Sequence, residues 1–218
     1  MKKTRVKICC ISSIEEAKFA INAGASALGL VGHMPSGPGI ISDQLIAEIA
    51  ASVPKYIETF LLTSETNADR IIQHYLKVNT TTIQLVDALK LGTHSQIKEA
   101  LPHVKIVQVL HVLDESTIDE ALEISNFVDL ILLDSGNPNL ATKELGGTGR
   151  IHNWEISKEI VNKVTVPVFL AGGLTHENAL LAIKKVNPYG LDLCSGVRTN
   201  GILDVDKLAA FFRAIKQN

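Results

Sequence analysis

Eight short runs rich in Val, Ile and Leu punctuate the chain, and each is followed by a longer amphipathic segment. The runs are Arg5–Cys10, Ala27–Val31, Tyr56–Leu61, Thr81–Leu85, Val104–Val109, Val128–Leu133, Val166–Leu170 and Gly190–Cys194. Most are apolar at consecutive positions, as strands covered on both faces must be. The segments between them place apolar residues at helical spacing. Ile14, Ala17 and Ile21 do so in the first, and Val205, Leu208, Ala209 and Phe212 in the last. Asp204 and Thr175 stand where N-caps of the last two helices belong. The fourth helical segment, His94–Ala100, is the shortest.

Strict alternation of strand and helix implies a parallel sheet. Eight units in 218 residues, about 27 each, imply a closed (β/α)8 barrel of the TIM type at the compact end of its size range. An open doubly wound sheet is the structural alternative. No linker, charge block or low-complexity tract divides the chain, so residues 1–218 read as one domain. The stretch Gly136–Asn139 begins a long loop inside it.

Composition closes off several functions. Lys and Arg number 21 against 23 Asp and Glu, a net charge of -2, so there is no electrostatic footprint for nucleic acid or an anionic membrane. Aromatic residues make up 5% of the chain, too few for a stacking platform. Three cysteines, two of them adjacent (Cys9, Cys10, Cys194), make neither a disulfide framework nor a C-x-x-C metal site, and read as free thiols of a cytoplasmic protein. The basic Met1–Arg5 leads into an apolar stretch too short for a signal peptide, and no run is long enough to span a bilayer. The seven histidines form no H-x-x-x-H pair, and no P-loop or dinucleotide fingerprint is present. His111, just past the fifth run, either lines the barrel mouth or is a solvated loop residue, the second being favoured, and Trp154 reads as packing for the sixth helix.

In a barrel of this kind the chemistry gathers at the C-terminal ends of the strands. The seventh run ends in Ala171-Gly172-Gly173, and the eighth in Asp192-Leu193-Cys194-Ser195-Gly196. Bare backbone amides at two consecutive late turns suit a phosphate, although glycines also serve simply to close tight turns. The sixth run ends in Asp134, where a carboxylate is either a functional acid or a turn residue. Partial burial there would raise its pKa. Strand alternation puts Lys7 and Cys9 on one face, with Val6 and Ile8 toward the helices. Cys9 then reaches the barrel mouth with an ammonium below it, a setting that favours a thiolate, unless the thiol is simply packed. Cys10 and Cys194 read as packing residues.

Several spaced motifs also form a pattern. Val6-Lys7-Ile8-Cys9, Ala23-Gly24-Ala25 with Leu28-Gly29-Leu30-Val31, Gln84-Leu85, Leu132-Leu133-Asp134, Gly146-Gly147-Thr148-Gly149 with Trp154, Leu170-Ala171-Gly172-Gly173-Leu174 and Asp192 through Val197 occur in order. In these the chain resembles the phosphoribosylanthranilate isomerase family over nearly its whole length. The resemblance implies a (β/α)8 fold and an Amadori rearrangement without a cofactor or metal, in tryptophan biosynthesis. The substrate it implies is a phosphorylated sugar amine. Asp134 would be the general acid and Cys9 the general base. Gly172, Gly173, Ser195 and Gly196 would hold the phosphate, with Lys7, Gln84, Gly147 and Asp192 as further substrate contacts. The chain would act as a monomer or homodimer.

The chain also departs from that pattern. Gly39 stands where the family carries an Arg for the anthranilate carboxylate, Val86 where it carries a His, Cys10 where it carries a Gly, and Asn153 where it carries an Asp. Arg198, Arg150 and His33 are candidate replacements for the lost Arg. Three functions therefore stand. One is a divergent phosphoribosylanthranilate isomerase. Another is a paralogue running the same chemistry on another phosphosugar. The third is a non-catalytic phosphate-binding barrel, against which the retention of both Cys9 and Asp134 argues.

Overall fold

The computed structural model describes residues 4–35, 37–137 and 149–216. Eight strands form the barrel: β1 (Arg5–Ile8), β2 (Ala27–Val31), β3 (Glu58–Thr63), β4 (Thr82–Leu85), β5 (Lys105–His111), β6 (Leu130–Asp134), β7 (Val168–Leu170) and β8 (Gly190–Leu193). A helix follows each: α1 (Ile14–Ala23), α2 (Asp43–Ser52), α3 (Ala68–Val78), α4 (His94–Ala100), α5 (Ser116–Ile124), α6 (Trp154–Lys163), α7 (Ala179–Val186) and α8 (Val205–Ile215). All neighbouring strands pair in parallel, and β1 pairs with β8 to close the barrel in sequence order. The closed barrel excludes the open doubly wound sheet.

Strand alternation sorts the apolar residues into two cores. Val6, Ile8, Ile106, Leu110, Ile131 and Leu133 face outward and join the helices in one cluster. Phe60, Val107, Val109, Leu130, Leu132 and Phe169 fill the barrel interior in the other. Side chains two apart on a strand share a face, so Asp134 follows Leu130 and Leu132 inward, and Cys9 follows Lys7. Among the described residues no helix is long and apolar enough to cross a membrane.

Most strand boundaries differ from expectation by one or two residues, and three differences in the chain have a clear local cause. The third strand starts at Glu58, not Tyr56, because the Ile57 amide donates to the Pro54 carbonyl and closes a turn. The first strand ends at Ile8, because Cys10 adopts a left-handed φ of 62° that a ladder cannot accommodate. The seventh helix starts at Ala179. Thr175 Oγ1 accepts from the Glu177 amide and so caps only the turn that precedes the helix. Asp204 does cap α8, accepting from the amides of Asp206 and Lys207.

Unforeseen was a short hairpin after β8, with β9 (Arg198–Thr199) antiparallel to β10 (Ile202–Leu203). It is fastened to the start of the chain. Ser13 caps α1 by accepting from the Glu16 amide, and the Glu16 carboxylate accepts from the Ser12 amide, one residue ahead of the cap. The same carboxylate accepts from Arg198 Nη1 and Nη2 at 3.1 Å each. Arg198 also donates to the carbonyls of Cys9 and Cys10. One buried ion pair therefore locks the exit of β1 to the loop that follows β8.

Candidate active site

The C-terminal mouth of the barrel encloses a cavity into which β1, β6, β7 and β8 send their terminal residues. Cys9, Gln84, Asp134, Gly172, Gly173, Asp192, Ser195 and Gly196 all line it, as proposed from the sequence. Lys7 is wholly buried in the floor and does not reach the cavity surface. Gly147 lies outside the described residues.

Lys7 and Asp192 are partners in the β1–β8 register, and Lys7 Nζ donates to Asp192 Oδ2 at 2.8 Å. The ammonium also lies 5.3 Å from the Phe60 ring centroid. Burial by itself would lower the Lys7 pKa, but the Asp192 carboxylate, with Cys9 adding to it, reverses this and holds the ammonium charged. The Asp192 pKa is raised by burial, against the opposing pull of Lys7. Gly29 of β2 makes room for this group. A Cβ there would come within 3.0 Å of both Cys9 Sγ and Lys7 Nζ. That mid-strand glycine is the sequence trace of a close approach.

Asp134 ends β6 and accepts from the Ser135 amide at 2.7 Å. Burial pushes its pKa up to about 6; the Asp192 charge adds to the rise, and the Ser135 amide and Lys7 oppose it. A carboxyl titrating there holds a proton that it can donate at near-neutral pH. Asp192 Oδ1 and Gln84 Oε1 are buried with no hydrogen-bond partner among the described residues. Such atoms call for donors such as sugar hydroxyls.

The glycine turns are closely constrained. Gly172 and Gly173 take consecutive left-handed φ angles of 83° and 61°. A Cβ on Gly173 would lie 2.7 Å from the backbone of Arg150, and one on Gly196 would collide with the Leu174 carbonyl. Side-chain-free turns of this kind leave backbone N–H groups open to an anion. Behind these loops a second hollow, bordered by Gly173, Ser195 and Gly196, also includes Lys207, whose place on α8 sequence reasoning had no means to connect to the site.

Several expectations need correction or completion. Cys10 and Cys194 do pack in the interior cluster, but both also line the cavity, with their sulfurs 2.9 Å apart. The left-handed φ of Cys10 breaks strand alternation and swings its thiol to the side of Cys9, 3.8 Å away. Hydrogen bonding to Cys194 and Cys9, with burial, raises the Cys10 pKa, whereas the hydrogen bond with Cys10 lowers that of Cys194. Arg198 is not a free cation for a substrate carboxylate, since it is buried on Glu16. His33 is exposed and does not line the cavity, and Arg150 contributes no side chain to its lining. His111 is half-buried, as the last residue of β5, and is not a loop residue. Trp154 is buried at the start of α6, as expected.

A family model described as N-(5'-phosphoribosyl)anthranilate (PRA) isomerase matches residues 6–214. The chain belongs to this family. Among its relatives is N-(5'-phosphoribosyl)anthranilate isomerase 2 of Methanosarcina mazei, 35% identical over 98% of this chain and 95% of the relative. The Nostoc punctiforme N-(5'-phosphoribosyl)anthranilate isomerase is 32% identical over 97% and 98%. The phosphoribosyl anthranilate isomerase of Thermotoga maritima superposes with a TM-score of 0.82 at 26% identity, covering 99% of this chain and 100% of that one. The fold is shared as well with a family enzyme solved in complex with reduced 1-(o-carboxyphenylamino)-1-deoxyribulose 5-phosphate, at TM-score 0.79 and 24% identity over 99% and 100% of the chains. Membership makes the chain an isomerase of the family's general type.

Proposed function

We propose that the chain is an aldose–ketose isomerase that rearranges an N-(5-phosphoribosyl) arylamine to the 1-arylamino-1-deoxyribulose 5-phosphate. With anthranilate as the amine this is a step of tryptophan biosynthesis. The observation that carries the reading is the pairing of Asp134, a buried carboxyl still protonated near pH 6, with the Cys9 thiol in one cavity. They stand on β6 and β1, separated around the barrel by β7 and β8.

Asp134 gives its proton to the furanose ring oxygen as the C1'–O bond breaks, and the nitrogen lone pair forms the iminium. Cys9, as thiolate, removes the C2' proton, and the C2'–H electrons neutralise the iminium to give an enolamine. Tautomerisation protonates C1' and releases the O2' proton, leaving the ketone. The iminium is the electron sink, so the chain's own acid and base can carry both proton transfers. The buried oxygens of Asp192 and Gln84 accept from the sugar, and the Gly172-Gly173 and Ser195-Gly196 turns take the phosphate.

Mixing ribose 5-phosphate with an arylamine supplies the substrate in place. Its conversion is followed by loss of fluorescence for anthranilate and by proton NMR for other amines. The reading expects turnover that Cys9→Ala and Asp134→Asn each abolish. No turnover with any arylamine by the folded protein, or equal turnover in those variants, would overturn it.

A further inference from the structure

Three thiols meet at the seam where the first strand of the barrel closes against the last. The Cys9 amide donates to the Leu193 carbonyl at 2.7 Å, which sets the exits of β1 and β8 side by side. Cys10 then leaves β1 with its left-handed φ of 62°, and Arg198 Nη2 holds its carbonyl. Its Sγ comes to lie 2.9 Å from Cys194 Sγ and 3.8 Å from Cys9 Sγ. Of the three sulfurs, the rearrangement needs only Cys9.

The other two are not alike. Cys194 is half-buried, whereas Cys10 is buried, as is Cys9. The hydrogen bond with Cys10, and after it the Arg198 charge, hold the Cys194 thiol below its ordinary pKa against the effect of burial. The thiolate is the form that peroxides oxidise, and exposure adds to its susceptibility. Geometry selects the sulfur that follows. Cys9 and Cys10 are adjacent, with Cα atoms about 3.8 Å apart, short of the roughly 4.4–6.8 Å that a disulfide spans. Cys10 and Cys194 stand 184 positions apart in sequence, on the exits of two paired strands, and their sulfurs are already in contact.

We propose that Cys10 and Cys194 form a reversible oxidation site for hydroperoxides, in which Cys194 is the sulfur attacked and Cys10 the sulfur that resolves it to a disulfide. The Cys194 thiolate attacks one oxygen of hydrogen peroxide, the O–O bond breaks and hydroxide leaves, so the sulfur gives two electrons to the peroxide. Cys10 Sγ then attacks the sulfenic sulfur, the S–O bond breaks, and the departing hydroxide takes the Cys10 proton and leaves as water. The disulfide fastens β1 to β8 and leaves Cys9 a thiol. A dithiol returns both sulfurs to the reduced state by exchange. Without Cys10 the sulfenic acid loses its contacting thiol and passes on to the irreversible sulfinic acid.

The test treats the purified chain with stoichiometric hydrogen peroxide, denatures it in iodoacetamide and maps the peptides by mass spectrometry. It is independent of isomerase activity. The oxidised chain should take one alkyl group, on Cys9, and carry a Cys10–Cys194 bridge two hydrogens lighter than the free thiols. Dithiothreitol before alkylation should restore all three sites. In Cys10→Gly, where glycine suits the left-handed φ, Cys194 should instead gain two oxygens that dithiothreitol does not remove. Three alkyl groups after peroxide, a bridge that includes Cys9 or joins two chains, or sulfinic acid on Cys194 of the unaltered chain would each overturn the proposal. So would Cys194 that dithiothreitol recovers fully in Cys10→Gly, since Cys10 would then have no part in the resolution.

Discussion

Half of the barrel rim lines the cavity with groups that bear or bind charge, and the other half lines it mostly with hydrocarbon. β1, β6, β7 and β8 deliver Cys9, Asp134, Gly172-Gly173 and Asp192, whereas β2 to β5 and the turns after them deliver Val31, Leu62, Val86 and Val109, with Gln84 on β4 the polar exception and His111 ending β5 outside the lining. In the polar half, side chains are tied to one another or to the backbone: Lys7 to Asp192, Asp134 to the Ser135 amide, Glu16 to Arg198. In the apolar half the side chains of Val31, Leu62, Val86 and Val109 belong to one packed cluster. Charge in a buried network is an all-or-none arrangement, so single changes there are costly. Packing is graded, so changes in the other half shift selectivity in small steps.

The largest expected effect separates chemistry from stability at one residue. Asp134→Asn removes the acid and should lower kcat by about 10²–10⁴-fold. It should also stabilise the fold at pH 8. The folded pKa of about 6 lies above the ordinary 3.8, so ionising the carboxyl costs stability. That cost is absent below the ordinary value, grows between the two, and is full above 6. Two units correspond to about 3 kcal/mol, an upper figure for the gain. Urea titrations at pH 4 and pH 8 check the sign: no gain at the lower pH and a gain at the higher. In the unmodified chain the same carboxyl should make kcat/KM fall as pH rises through about 6.

Next in size is Lys7→Met. It strands the buried Asp192 carboxylate and should cost about 3–5 kcal/mol, as losing one partner of a buried pair does. Adding Asp192→Asn should return a large part of that, which denaturant unfolding of the two variants measures. Lys7 also restrains the rise of the Asp134 pKa, so its removal should move the falling limb of kcat/KM to higher pH wherever activity survives. A limb that stays in place would break the link between floor and acid.

Gly173→Ala comes third. It forces a side chain onto a φ of 61° and a Cβ to within 2.7 Å of the Arg150 backbone. The strain is of order 1–3 kcal/mol. The affinity for a sugar phosphate should fall by tenfold or more, while an amine without the phosphate is unaffected. Inhibition constants for ribose 5-phosphate and for the free amine make that comparison.

Much of this arrangement is legible in the sequence, for a definite reason. Strand period two places Cys9 with Lys7 and Asp134 with Leu132 without further information, and the glycine turns announce themselves by composition. What is hidden is long-range or locally anomalous. The Lys7–Asp192 pair joins residues 185 apart and needs the β1–β8 closure to bring them together. Cys10 sits left-handed although nothing in a Cys side chain favours that region, so alternation misplaces it. Arg198 looks like a ligand-binding cation in the sequence because its partner, Glu16, lies on a helix at the other end of the chain.

The smallest effect tests whether the two halves act independently. Val86→Ala removes two methyl groups from the apolar wall and touches none of the charged groups. Loss of that contact is worth about 1 kcal/mol of binding. Because the wall meets the substituent equally before and during the rearrangement, the loss belongs to uniform binding. KM for the phosphoribosyl arylamine should rise about fivefold at unchanged kcat. The pH at which kcat/KM falls should also stay fixed, since that is set by Asp134 and its charged neighbours. A fall in kcat, or a displaced limb, would mean that the hydrocarbon half positions the reacting carbon against Cys9, and the division between chemistry on one side and selectivity on the other would fail at the residue where it is easiest to test.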